Sequence, residues 1–437
     1  MTTLNAPHPP TAEIPVDDAL ALILAAVAPL PAEHIPFSQA AGRVLAAPVV
    51  AREAMPPFAA SSRDGYAVIA ADGEGTRRVI GEAVAGGVGG LVVTAGTAAR
   101  ITTGAPLPAG ADAVVMVEDT TPGSVALEHG SGGDIGAAGG TDRDRGGTGG
   151  AITVRRAVVA GENVRPVGQD YGAGEVLLAP GAVLGPAEIG LLASAGAVEV
   201  DVYRRPRVIV YSTGDELVEP DAPLGPGQIR DSNRFAMAEA VKEAGGEVVF
   251  AGHLGDDADD VDALAAAVTS ADVVVTSGGV SMGHLDLVKP WLATNGTLVF
   301  GRVRTKPGKP VTFALVGGTP CFALPGFPVS TLVCFELFVR PALRAMGGHA
   351  DVRRPVWPVA LAHDIAHAGD RVEFARAVVA VGADGRPVAR TTGFQGSGRL
   401  LSMAGANALL RLEGAAGLAR AGDVVPALII AAVGGGA

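Results

Sequence analysis

At 437 residues, with 48% hydrophobic and 18% charged residues, the chain has a globular balance and is too long for one ordinary core, so roughly three domains are expected. A formal charge of −12 and a pI near 5.2, with no run of Lys or Arg, exclude a general nucleic-acid binder, which needs a clustered basic face. The longest apolar runs, such as residues 427–433, fall short of the ~20 residues that cross a bilayer, so no membrane span is expected.

Residues 1–15 are polar and Pro-rich, without the basic flank and apolar core of an export signal, so a cytoplasmic location is expected. Residues 16–27 carry Val16, Ala19, Leu20, Ile23 and Val27 near helical spacing, with Asp17 and Asp18 where a helix N-terminus favours acid. From 43 to 104, short apolar runs alternate with Gly and Pro, which predicts a small β-rich domain. Residues 130–150 have almost no bulky apolar side chain and read as a flexible surface loop. Short strands resume over 154–202 and end in a helix at 186–195, opened by Pro186.

Between 205 and 346, strand-like runs at 208–212, 248–252 and 273–276 alternate with helical stretches at 233–244 and 261–268. That alternation predicts βαβ units and a mostly parallel, doubly wound sheet. Such sheets bind ligands beyond the strands' carboxyl ends, where the loops 213–217, 256–257, 277–281 and 324–330 fall. Runs at 356–362, 377–381, 409–412 and 424–430 read as a small C-terminal β domain. Cys321 and Cys334 lie in apolar stretches, spaced unlike a zinc or redox pair. They are expected to be reduced core residues.

The strongest local constellation is Lys306-Pro307-Gly308-Lys309-Pro310. Two ammonium groups three residues apart repel unless an anion lies between them, and the prolines with Gly308 fix an irregular backbone that can aim both inward. The alternative is a turn with two solvated lysines. In Ser277-Gly278-Gly279-Val280-Ser281, paired glycines after a buried strand let peptide N–H groups converge on a phosphate. Leu324-Pro325-Gly326-Phe327-Pro328-Val329-Ser330 precedes an apolar helix expected over 331–343, which places Ser330 as an N-cap or an anion contact.

Asp215, Glu216, Asp231, Asp256, Asp257 and Asp286 gather around the same crevice. Carboxylates beside a phosphate site suggest Mg²⁺ held by one or two of them, with Glu216 and Asp286 the better candidates. Helix N-caps explain Asp231 and Asp257 equally well. Gly279-Val280-Ser281-Met282-Gly283 also fits a nucleophile elbow, with His349, His363 and His367 as downstream bases, so a serine hydrolase using Ser281 is the competing reading. Against it, that reading gives Lys306 and Lys309 no task. Gly308-Lys309 is followed by Pro310, which excludes a P-loop.

Nine stretches in order, SRDGYAV, ITTGAPLPAGADAVVMVED, VGQDYGAGEVLLAPG, STGDEL, IRDSN, TSGGVSMG, KPGKP, LPGFPVS and QGSGRLLSMAGANALL, resemble the MoeA and gephyrin E-domain family of molybdopterin molybdenumtransferases. The resemblance runs from about residue 16 to 430. It implies insertion of molybdate into adenylated molybdopterin with Mg²⁺ and release of AMP. It also implies an elongated four-domain homodimer: domain I at 32–56 and 151–205, β-rich domain II at 57–150, α/β molybdopterin-binding domain III at 13–31 and 206–346, and barrel-like β domain IV at 350–437. Carried over by motif, Lys306, Lys309, Pro310, Ser330, Arg376 and Ser397 are the expected molybdate residues. Asp64, Thr103, Glu216, Asp256 and Asp286 are the expected catalytic residues. Asp231, Ser277, Gly278, Gly279, Ser281, Pro325 and Pro328 are expected around the pterin and its phosphate. The implied protein partners are a molybdopterin adenylyltransferase and apo-molybdoenzymes. Phe327 stands where the family usually has Asn, His284 where an acid is common, and Ser61-Ser62-Arg63 before Asp64 where Ser-Ala-Met is usual. The first two departures, Phe327 and His284, leave a non-catalytic pterin-binding scaffold of the same family as the second alternative.

Overall fold

A strand as apolar as Val208-Ile209-Val210 needs cover on both faces. The computed structural model, which describes residues 12–87, 89–123, 150–255, 258–279, 287–367, 369–413 and 417–434 without the side chains of 258–262, gives it that cover. The strand Arg207–Thr213 lies second in a six-stranded sheet ordered Glu247–Leu254, Arg207–Thr213, Val273–Ser277, Thr319–Leu324, Thr312–Val316, Thr297–Phe300. The first four strands are mutually parallel, Thr312–Val316 runs antiparallel to them, and Thr297–Phe300 pairs antiparallel with Thr312–Val316 and so runs in the direction of the first four. Val208, Val210, Val273 and Val275 pack with the helices Val16–Ala26 and Asn233–Glu243 and the helical run 328–346 on one face. Ile209, Tyr211 and Val274 pack with Leu264, Val268, Val288 and Leu292 on the other. This is the doubly wound, mostly parallel arrangement expected.

The chain divides into two compact units, one of residues 1–47, 180–190 and 198–437, the other of 48–179 and 191–197. The first also holds a closed five-stranded barrel. Val372–Val381, Pro387–Thr391, Val356–Leu361, Val424–Ile429 and Ala408–Leu412 pair in that order, and Ala408–Leu412 pairs back onto Val372–Val381. Small residues, Ala375, Ala377, Ala389, Ala408 and Ala427, let so few strands close around Val359, Leu361 and Leu410. In the second unit a six-stranded mixed sheet runs Ala113–Met116, Gly65–Val68, Thr97–Ile101, Gly75–Ala83, Ala151–Val154, Thr120–Gly123.

Three expectations need correction. The helix expected over 331–343 begins at Pro328 and runs as Pro328–Cys334, a π-helical turn Phe335–Val339 and Arg340–Met346. Proline is pre-set for the first helical turn, so Ser330 is the helix's third residue and not its N-cap. The strands Thr312–Val316 and Thr319–Leu324 form a hairpin that was not expected, closed by Gly317 and Gly318, both at positive φ. The helix Val288–Asn295 was also unexpected. Residues 130–149, the pair 256–257 and the elbow stretch 280–283 lie outside the described residues. Both cysteines are buried and unpaired, and burial pushes the Cys321 thiol up to about 12.

Candidate functional site

Where parallel strands end, their last peptide groups have no ladder partner, and a cleft opens. Here the strand ends Thr213, Ser277 and Leu324 carry their loops into a cavity of about 770 Å³ lined by Thr213, Gly214, Glu216, Asp231, Asn233, Ser277–Gly279, Pro310, Pro325–Pro328, Ser330 and Gly398. Nine expected site residues line it: Glu216, Asp231, Ser277, Gly278, Gly279, Pro310, Pro325, Pro328 and Ser330. Thr213, Asn233, Phe327 and Gly398 were not singled out as lining residues.

The floor is one hydrogen-bond network. Asn233 Nδ2 donates to Ser277 Oγ at 2.8 Å and to the Gly326 carbonyl at 2.7 Å, tying two loops together. Thr331 Oγ1 donates to the Pro325 carbonyl at 2.6 Å and lies 3.1 Å from Ser277 Oγ. The Gly278 N–H donates to the Leu324 carbonyl. Ser277 is 1% exposed, so its hydroxyl holds the loops in place. Gly278 sits at φ +96°, and a Cβ there would come within 2.4 Å of Thr213 Oγ1, so only glycine lets the backbone turn this tightly. His253 Nε2 faces the Gly214 carbonyl at 2.8 Å, which fixes it as the donor and anchors the Gly214–Glu216 turn.

Asp231 is buried. It accepts from Ser212 Oγ at 2.5 Å and from the Arg234 N–H at 3.1 Å, and Arg234 Nε lies 3.3 Å away. It therefore takes up a first-turn N–H of the helix Asn233–Glu243, whose N-cap position is Ser232, and lines the cavity with a charge already partnered. Glu216 is exposed at the cavity, and no side-chain partner holds its carboxylate among the described residues. Asp256, Asp286, His284 and Ser281 lie outside the described residues. Mg²⁺ takes one or two carboxylates and completes its shell with substrate oxygens and water, and among the described residues Glu216 is the unpartnered carboxylate at the cavity.

The lysine loop packs on the first turn of the 328–346 helical run. Gly308, at φ +101°, accepts from Cys334 Sγ at 3.6 Å, and a Cβ on it would lie 3.8 Å from the Ser330 carbonyl. Lys306 Nζ donates to Glu373 Oε2 at 3.0 Å, and Lys309 Nζ lies 2.5 Å from Glu13 Oε1. The hydrogen bond from Lys309 holds the Glu13 carboxyl below its usual range. From the barrel, the Ser397 carbonyl accepts the Val329 N–H at 3.1 Å, so the loop carrying Ser397 meets the loop carrying Phe327. Arg376 is 1% exposed and lies behind that loop: Nε donates to Ser402 Oγ at 3.1 Å and Nη2 to the Gly396 carbonyl at 3.2 Å. Burial pulls its pKa down to about 10. In the second unit, Asp64 Oδ1 accepts from the Thr103 N–H at 2.7 Å and from Thr103 Oγ1 at 3.0 Å, and the backbone bond leads in lowering the Asp64 pKa.

The histidines considered as hydrolase bases stand elsewhere. His363 Nε2 accepts from the Thr391 N–H at 3.2 Å, and His367 is on the strand Ile365–His367. His349 Nδ1 accepts from Arg344 Nη2 at 3.1 Å. Burial, then Arg344 and Arg340, push its pKa down to about 4 from an ordinary 6.5. The unfolded chain takes up a proton between pH 6.5 and 4 that the folded chain refuses, so this contribution is complete above pH 6.5 and is lost as pH falls through that window. Urea midpoints of the wild type and His349→Gln are expected to diverge at pH 7 and converge towards pH 5. A gap independent of pH would refute the assignment.

Fold and cavity together define a multidomain α/β protein with a cleft at the carboxyl edge of its sheet. Three family models match: "MoeA N-terminal region (domain I and II)" over residues 14–196, "Probable molybdopterin binding domain" over 209–345 and "MoeA C-terminal region (domain IV)" over 358–430. Molybdopterin molybdenumtransferase 2 of Mycobacterium tuberculosis is 36% identical, covering 79% of this chain and 82% of the relative. The Haemophilus influenzae molybdopterin molybdenumtransferase is 34% identical, covering 91% and 93%. Gephyrin of Dictyostelium discoideum is 34% identical over 95% of this chain, which spans 62% of that protein's length. A crystal structure of a Pyrococcus horikoshii MoeA protein superposes with a TM-score of 0.78 at 30% identity, covering 96% of this chain and all of that one. The chain belongs to the MoeA family of molybdopterin molybdenumtransferases, a transferase family of molybdenum cofactor biosynthesis.

Proposed function

We propose that this chain inserts molybdate into adenylated molybdopterin, releasing AMP in a Mg²⁺-dependent step. The observation that carries this reading is the meeting of two chemistries in one cavity: the glycine turn Ser277–Gly279, the lysine loop's Pro310 and Ser330 all line it. The glycine turn, with no side chain at 278 or 279, lets a terminal phosphate approach the backbone closely, and the lysine loop suits a tetrahedral dianion. The dithiolene sulfurs displace molybdate oxygens, and positioning supplies most of the rate, since both reactants are held and oriented by fixed groups. Lys306 and Lys309 bind the oxyanion, while Arg376 acts through the loop 395–398 that presents Ser397. Bound Mg²⁺, held by Glu216 and by Asp286, would neutralise the pyrophosphate as AMP leaves. Asp64, Thr103 and Asp256 complete the proposed catalytic set.

We assign four domains with the limits expected from the sequence, a homodimeric state and a cytoplasmic location, with a molybdopterin adenylyltransferase and apo-molybdoenzymes as protein partners. Among the described residues no helix is long and apolar enough to cross a membrane. The deciding experiment incubates the full chain with adenylated molybdopterin, molybdate and Mg²⁺. AMP release with formation of active cofactor is expected. Tight pterin binding without AMP would instead identify a scaffold.

A further inference from the structure

The charges around the lysine loop cancel. Lys306 is matched by Glu373 at 3.0 Å and Lys309 by Glu13 at 2.5 Å. A dianion approaching two ammonium groups that already face two carboxylates gains little Coulomb energy, because each attraction is offset by a repulsion at similar range. For such an anion to bind well, one carboxylate has to move away.

The two carboxylates are not equally free to do so. Glu373 has a side chain 5% exposed and sits within the barrel strand Val372–Val381, in register with Lys306 on one side and Leu412 on the other. Turning it off its lysine would leave a buried charge unpaired, at high cost. The Glu13 side chain is 29% exposed and lies just before the helix Val16–Ala26. Its neighbour Ile14 is stitched to the chain by an N–H to the Arg302 carbonyl and a carbonyl to the Arg304 N–H. A rotation of the Glu13 side chain therefore leaves the backbone anchored. Lys309, Arg371 and Arg302 all act on that carboxylate, so the place it holds is cationic and attractive to any oxyanion. The chain has four lysines, and three of them, Lys289, Lys306 and Lys309, fall within 21 residues that contain no acid. The countercharge for this stretch must come from elsewhere in the sequence.

We infer that Glu13 is the internal competitor of the oxyanion at Lys309: molybdate binds by displacing the Glu13 carboxylate, while Glu373 stays as the fixed counter-ion that positions Lys306. This rests on the reading that the lysine pair receives molybdate. Glu13 thereby sets the affinity of the site without being part of the reacting centre.

The test titrates inorganic molybdate, and sulfate as a second tetrahedral dianion, into the full chain by calorimetry at low ionic strength. Wild type, Glu13→Gln and Lys309→Ala are compared, with melting temperatures recorded alongside. Glu13→Gln is expected to tighten both anions by about 5-fold, the scale of removing one like charge near a partly exposed site, and the gain is expected to shrink in high salt. A Glu13 that only pins the N-terminal segment would lower the melting temperature and weaken binding. Unchanged or weaker binding in Glu13→Gln, with Lys309→Ala still losing affinity, overturns the displacement and leaves the lysine pocket standing. Unchanged binding in Lys309→Ala overturns the pocket itself.

Discussion

Gly308→Ala is expected to cost about 2–4 kcal/mol of stability and to abolish saturable molybdate binding. The glycine sits at φ +101°, a region that L side chains avoid, and a Cβ there would come within 2.2 Å of Cys334 Sγ. Cys334 is fully buried among Val329, Val333 and Phe338, so it has nowhere to retreat, and overpacking of this kind costs about 1–3 kcal/mol beyond the backbone strain. The chain's cheapest response is to move the Lys306–Pro310 loop outward, which carries both ammonium groups and Pro310 away from the Ser330 turn. A double-mutant cycle separates the two causes. In a Cys334→Ala background the clash is relieved, so Gly308→Ala should cost only the strain of its positive φ. Equal costs in both backgrounds would show that the sulfur contact is not the cause.

The lysine loop was legible because its signals are local. Charge, proline and glycine stand side by side, and their combined chemistry requires no knowledge of the rest of the chain. The cleft was legible for a related reason: alternating strands and helices force a parallel sheet, and a parallel sheet fixes where its loops gather. What escaped were the partners. Glu373 lies 67 residues from Lys306 and reaches it through strand register in a barrel, which no local pattern announces. Glu13 reaches Lys309 through a single bridge, Ile14 with Val303.

Hydroxyl and amide roles were the hardest to read. Ser277 stands in a phosphate-like turn, yet its hydroxyl is enclosed by Asn233, Pro325 and Thr331, because a buried polar group must be satisfied where it sits. Asn233 shares the stretch IRDSN with Asp231, but only the carboxylate stands out when charge is the guide. Gly317-Gly318 was a usable hairpin signal that the run of βαβ units obscured. Pro328 opens the helix instead of ending the loop, which carries Ser330 from the expected N-cap to the third helical position.

Lys306 and Lys309 look equivalent in the sequence, and their substitution is expected to part them. Lys306→Met leaves the Glu373 carboxylate, 5% exposed, without its counter-ion in the barrel wall. Of the cations nearest it in sequence, Arg371 is paired with Asp370 and Arg376 is committed to Ser402 and Gly396. Removing one partner of a fully buried pair costs about 3–5 kcal/mol. The Lys306 side chain is 41% exposed, so water reaches part of the gap and about 2–3 kcal/mol is the expected loss on that same scale. Lys309→Met breaks a pair whose members are 41% and 29% exposed, and pairs open to solvent contribute under about 1 kcal/mol. Both variants should lose molybdate affinity, since each removes a donor from the same loop. The urea midpoint should therefore fall sharply for Lys306→Met and hardly move for Lys309→Met, while molybdate titrations weaken in both. Equal midpoint shifts would mean that Glu373 is not the buried end of the pair. A Lys309→Met variant that binds molybdate normally would move the oxyanion away from this loop altogether.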